Sequence, residues 1–140
     1  MLTCGFAGAL TEGLSRGTVL FSDDADPRIR AVLEAASARS AKFHCADRVA
    51  VTAAEKRALR EQTRADAVEM ESQHICALCR ERQIPCATVR VILDTADEDL
   101  PLDFNQLMTA NHTLNFMKLA LELARSPGKI KALIQVSQKT

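Results

Sequence analysis

Apolar and polar positions along this chain alternate between short unbroken apolar runs and stretches with helical spacing. The clearest run, residues 86–93, is nearly all apolar and reads as a strand covered on both faces, the habit of a parallel sheet. Arg90 interrupts it, so that charge must be paired or lie near the strand end. Shorter runs predict strands at 18–21, 41–45 and 65–70, with another short extended piece at 49–51. Residues 1–4 look like the tail of a strand, followed at once by the glycine-bearing stretch 5–9, where a backbone can turn or approach a ligand closely. Helical spacing appears at 29–38 through Ile29, Val32, Leu33 and Ala36, with Pro27 suited to a first helical position. Thr52-x-x-Glu55 is a capping box that opens a helix running to about 61. A further helix is expected at 72–83 with Ile75, Leu78 and Cys79 inward, and Pro85 ends it. A long helix is expected at 103–125 with Phe104, Leu107, Met108, Leu114, Met117, Leu121 and Ala124 inward, and a last one at 129–136. Strands alternating with helices predict an α/β fold with a mainly parallel sheet.

The totals narrow the function classes. With 140 residues the chain is one domain at most. Its 18 basic and 18 acidic residues leave no basic excess to neutralise phosphates, so no nucleic-acid role is expected. No apolar run reaches the roughly 18 residues of a transmembrane helix. The five cysteines are odd in number and no signal peptide precedes them, which predicts free thiols and a cytoplasmic location. Cys76-x-x-Cys79 is the only close pair. A zinc site needs about four ligands, and only His74 and Cys86 lie nearby, so no metal is expected. On a helix the pair simply shares a face; a redox or metal module would rest on these two thiols alone.

The candidate chemistry lies between residues 66 and 97. Glu69 and Glu71 flank Met70 just before a helix, and Asp94 and Asp97 stand where the 86–93 strand meets the acidic loop 95–102, a loop of the kind that closes over a site. Ligands in α/β sheets gather beyond the carboxyl ends of strands. A methionine between two carboxylates suits a ligand that is part apolar and part hydroxylated, such as a nucleoside. The competing reading is that these acids cap helices.

At Glu69-Met70-Glu71-Ser72 and Arg90-Val91-Ile92-Leu93-Asp94 the chain resembles the purine nucleoside phosphorylase and nucleosidase superfamily, where Val-Glu-Met-Glu and Arg-x-x-Ser-Asp motifs occur at nearly this separation. It is similar to the hopanoid-associated phosphorylase branch at Ala46-Asp47, at Thr52-Ala53-Ala54-Glu55-Lys56 and at Arg125-Ser126-Pro127-Gly128-Lys129. Gly5-Phe6-Ala7-Gly8-Ala9-Leu10 is similar to the family's glycine loop beside the base. The likeness covers essentially all 140 residues but only the second half of a usual member, so 1–140 is expected to be one truncated domain. The resemblance implies a three-layer α/β sandwich with a mixed sheet, its N-terminal part missing. It implies cleavage of an N-glycosidic bond in a purine nucleoside by phosphate or water, with no cofactor other than inorganic phosphate as an optional co-substrate. Asp94 then matches the acid that hydrogen-bonds or protonates the purine at N7, and Glu71 the carboxylate that orients the ribose. Met70 matches the wall under the ribose; Ala7, Gly8, Val49, Glu69 and Arg90 complete the expected substrate site. Leu93 departs from the family's usual serine beside the acid. Half a sheet also leaves an edge uncovered, which implies a homo-oligomer. The other reading is a non-catalytic remnant acting as an oligomeric or base-binding module.

Overall fold

The computed structural model describes residues 1–107. Within them, strands β1 (Leu2–Ala9), β2 (Val19–Ser22), β3 (Arg39–Ala41), β4 (Phe43–Cys45), β5 (Ala67–Glu69) and β6 (Ala87–Asp94) form one sheet in the order β3-β2-β6-β1-β5-β4. Helices α1 (Pro27–Ala35), α2 (Ala53–Thr63) and α3 (Ser72–Glu81) connect them, and α4 (Phe104–Leu107) closes the described part. The sheet is mixed. β1–β6, β2–β3 and β4–β5 are parallel, while β1–β5 and β2–β6 are antiparallel. The fold class is therefore α/β, as the alternation of patterns predicts.

One residue, Lys42, separates β3 from β4, although these strands form opposite edges of the sheet. One residue spans only about 3.5 Å, so the two edges must come together and the sheet is rolled rather than flat. Inside the roll lie small and branched side chains: Ala7, Ala9, Leu14, Leu20, Ala41, Ala67 and Ile92, all buried. The expected single strand at 41–45 is thus two strands. The break is held by backbone bonds outside the ladder, with Lys42 N–H donating to Asp66 Oδ2 at 2.9 Å and Asp66 N–H to the Lys42 carbonyl at 2.7 Å.

β1 is longer than its sequence suggests. Its ladder with β6 runs from Leu2–Ala87 to Gly8–Asp94 through Gly5, with a register shift between Ala7 and Gly8. β6 pairs along this stretch as far as Gly8 and β5 pairs with Gly8 and Ala9, which supplies the order that glycine lacks alone, so the 5–9 stretch is strand and not a loop. The 49–51 stretch forms no strand.

The helices start where their caps predict. Pro27 occupies the first turn of α1, whose Asp26 cap accepts from the Arg28 amide. The expected stripe is only half inward, because Ile29 and Leu33 pack on buried Phe21, Ala25, Ala38 and Ala87 while Val32 is 68% exposed. In α3 Cys79 is buried but Leu78 faces outward. The α2 capping box forms in full, with Thr52 accepting from the Glu55 amide and Glu55 accepting from the Thr52 amide. The expected long helix begins at Phe104, and the rest of it, with the 129–136 helix, lies outside the described residues.

Because α2 is polar and buries only Lys56, its cap matters more than its packing. Thr52→Ala is expected to lower stability by about 1 kcal/mol, read as a lower urea midpoint at unchanged slope.

Candidate functional site

Short β5 lies beside the carboxyl end of β1, with Ala9 opposite Ala67 and Gly8 opposite Val68. β6 ends beside the same place, with Asp94 opposite Gly8. The two strands run in opposite directions, so their carboxyl ends meet over β1 instead of sharing one rim of a parallel sheet. A cavity of about 510 Å³ opens there. It is lined by Ala7, Gly8, Val49, Glu69, Met70, Glu71, Arg90 and Asp94, all the residues the sequence singles out as site residues, together with Cys4, Phe6, Leu93 and Leu100 among others. Asp97 is not part of it; this exposed carboxylate accepts from the Thr95 hydroxyl at 2.7 Å.

The carboxylates fall into three environments. Glu69 is buried and fully engaged with the protein: Oε2 accepts from Arg90 Nη2 at 2.7 Å and from the Glu71 and Ser72 amides, and Oε1 accepts from the Ser72 hydroxyl at 2.6 Å. It meets the orphan amides that open α3, so the helix-capping reading holds for this acid. Burial pushes its carboxyl up, but the Ser72 hydroxyl, Glu71 amide, Arg90 guanidinium and Ser72 amide outweigh that and hold it below the usual glutamate range. Arg90, the charge inside the apolar run, is 1% exposed, and its guanidinium also donates to the Thr3 carbonyl at 2.8 Å and the Val89 carbonyl at 2.9 Å. Both residues line the cavity as framework, because their polar contacts are to one another and to the chain.

Glu71 stands at the N-cap of α3 without making the side-chain cap bond. It is exposed, and among the described residues its carboxylate takes no hydrogen bond. This acid is open to a ligand. Asp94 is buried, and burial raises its pKa more than neighbouring Lys56 lowers it. A raised carboxyl can carry a proton to a leaving group. The Gly8 backbone comes close to it: a Cβ there would meet Asp94 Oδ2 at 3.1 Å and Val68 Cγ1 at 3.4 Å. Met70 and the 59% exposed Phe6 supply apolar walls.

A family profile described as the phosphorylase superfamily matches residues 24–125, well over half of the chain. The chain belongs to the phosphorylase superfamily. A search of the curated proteins returned no match. Solved structures with a similar fold include the 5'-methylthioadenosine/S-adenosyl homocysteine nucleosidase of Campylobacter jejuni, at 23% identity and TM-score 0.60, covering 75% of this chain and 60% of that one. The S-adenosylhomocysteine nucleosidase of Streptococcus pyogenes, in complex with 5-methylthiotubericidin, matches at 20% identity and TM-score 0.65, covering 76% and 59%. The futalosine hydrolase of Helicobacter pylori matches at 21% identity and TM-score 0.60, covering 75% and 59%. This superfamily member thus spans about three fifths of the length of those chains.

In this superfamily chain the polar partner of Asp94 is not residue 93, a leucine that lines the cavity, but Lys56 from α2. In sequence Lys56 stands between Glu55 and Arg57 in a mostly polar helix, and nothing local marks it as buried. Phe6, which reads in sequence as part of a glycine loop, is a further wall of the cavity.

The Glu69–Arg90 pair ties stability to pH. Glu69 is depressed in the folded chain relative to its ordinary 4.5, so its stabilising contribution is complete above that value and is lost as pH falls through the folded pKa. The urea midpoint should fall below pH 4.5, and Glu69→Gln should flatten that acid limb. Arg90→Met, which strands a buried carboxylate, should cost about 3–5 kcal/mol at neutral pH.

Proposed function

We propose that this chain carries the nucleoside-binding and leaving-group side of an N-glycosidic bond-cleaving site, acting on a purine nucleoside. The observation that carries this reading is one cavity lined by Glu71, whose carboxylate takes no hydrogen bond among the described residues, by an apolar wall, Met70, and by a buried acid of raised pKa, Asp94. A nucleoside needs those three things: acceptors for ribose hydroxyls, an apolar surface under the sugar, and a proton donor at the base.

The chemistry follows from charge. As the bond between the sugar carbon and the base nitrogen breaks, its electron pair goes to the base and the sugar becomes oxocarbenium-like. Asp94 donates its proton to N7 of the purine, so the base leaves neutral. Glu71 accepts hydrogen bonds from the ribose hydroxyls, and its negative charge favours the positive charge growing on the sugar. Phosphate or water then adds to the sugar carbon. Membership of the phosphorylase superfamily supports this class of reaction. The nucleoside-cleaving names of the similar structures agree with it, and the ligand bound to one of them, 5-methylthiotubericidin, agrees as well.

The test is purine release from adenosine, inosine and 5'-methylthioadenosine, with and without inorganic phosphate. Release is expected. Asp94→Asn should lower kcat/KM by about 10²–10⁴, and Glu71→Gln should raise KM and lower kcat together. Phosphate dependence would mark phosphorolysis. Absence of release from every nucleoside, with calorimetric binding of free purine retained, would replace this reading with a base-binding module.

A further inference from the structure

The buried lysine of α2 touches Asp94 but carries no step of the reaction proposed above. Lys56 is 0% exposed and its nitrogen meets three oxygens: Asp94 Oδ2 at 2.5 Å, the Thr95 carbonyl at 2.7 Å and the Glu98 carbonyl at 2.7 Å. An ammonium has three N–H donors and no acceptor. Its well-directed bonds go to the two carbonyls, while Oδ2 lies off a hydrogen-bond direction but in direct charge contact. A buried ammonium placed this way is expensive to build by burial alone. It is held by a turn that lies 39 residues further along the chain at Thr95 and 42 at Glu98.

We infer that Lys56 is the positioning residue of the leaving-group acid: it seats Asp94 Oδ2 against Gly8, leaves Oδ1 for the base, and stabilises the carboxylate that appears when Asp94 gives up its proton. This rests on the proposed N-glycosidic reaction for its role in turnover. Oδ2 is fully buried while Asp94 lines the cavity, so Oδ1 is the oxygen a ligand can reach. The step balances simply. The proton moves from Oδ1 to N7, the bond pair of the glycosidic bond goes to the purine, and the negative charge left on Asp94 faces a cation that is already in place.

Other charges around Asp94 do not take this part. Glu98, from the turn after β6, pushes its pKa up, and Arg16, from the loop between β1 and β2, pulls it down. Those two are paired with each other at 2.9 Å, so their effects largely offset. From β1 the uncharged Gly8 backbone approaches. Burial is the largest influence and raises Asp94; Lys56 is the largest opposing one.

The experiment titrates the Asp94 carboxyl by carbon-13 NMR in aspartate-labelled chain, with Asp94→Asn identifying the resonance. In Lys56→Met the midpoint should rise by at least about one unit, the loss expected when an adjacent opposite charge is removed; Lys56→Gln should do the same, and Lys56→Arg should hold it near the wild-type value. In turnover, the alkaline limb of kcat should move to higher pH in Lys56→Met, with kcat falling at least tenfold and KM changing less, and Lys56→Arg should restore part of it. A midpoint that stays put in the folded Lys56→Met chain, or in Lys56→Gln if the methionine variant does not fold, overturns the inference. The titration needs no turnover. A chain that releases no purine but shows the shifted midpoint would sink the proposed reaction and keep the Lys56–Asp94 coupling; release with an unmoved midpoint would do the reverse.

Discussion

The buried contact between Glu69 and Arg90 is the interaction on which the site depends. It joins the end of β5, the first turn of α3, the middle of β6 and, through Thr3, the start of β1. An arginine inside a strand is tolerable only with its charge met. Here it is met by an acid that has itself been brought in by helix capping. Each half makes the other affordable, and together they fix the distance between the β5–α3 corner and β6. Met70 and Glu71 lie on that corner and Asp94 at the end of that strand. The spacing of the candidate chemistry therefore follows from one buried ion pair.

Three carboxylates of similar intrinsic acidity are set to three different states by what surrounds them. Glu69 is held ionised by a hydroxyl, amides and a guanidinium. Glu71 is left in solvent at a helix start that does not use it. Asp94 is buried, and burial raises its carboxyl more than the adjacent Lys56 lowers it. Separate acid strengths at one cavity are what a bond cleavage with charge on both fragments requires. The rolled sheet makes this compact, since β5 and β6 bring their ends to the same stretch of β1 from opposite directions.

Much of the fold was legible because its signals are local. A capping box needs only Thr52 and Glu55 within one turn, and Pro27 sets its own backbone angle wherever it sits. The apolar run that becomes β6 was equally plain, and so was the need for a partner to Arg90. The errors have one source, contacts made far away. Glycines at 5 and 8 look like a loop until β6 pairs with both and β5 closes on the second. Residues 41–45 look like one strand until Asp66 takes the backbone of Lys42 and the two halves go to opposite edges of a rolled sheet. Val32 and Leu78 fit an inward stripe by spacing, yet the surfaces they would cover are elsewhere.

By itself the sequence determined the α/β class, the helix starts, the acids and the apolar wall of the candidate site, because residue type and short spacing carry that information. Only the tertiary structure decided which acid is framework and which is free, since that depends on which carboxylate reaches Arg90 and the amides of α3. It alone showed Lys56 buried against Asp94. A lysine in a polar helix reads as solvated, and its burial is created by carbonyls from a turn some forty residues away whose approach no local pattern encodes.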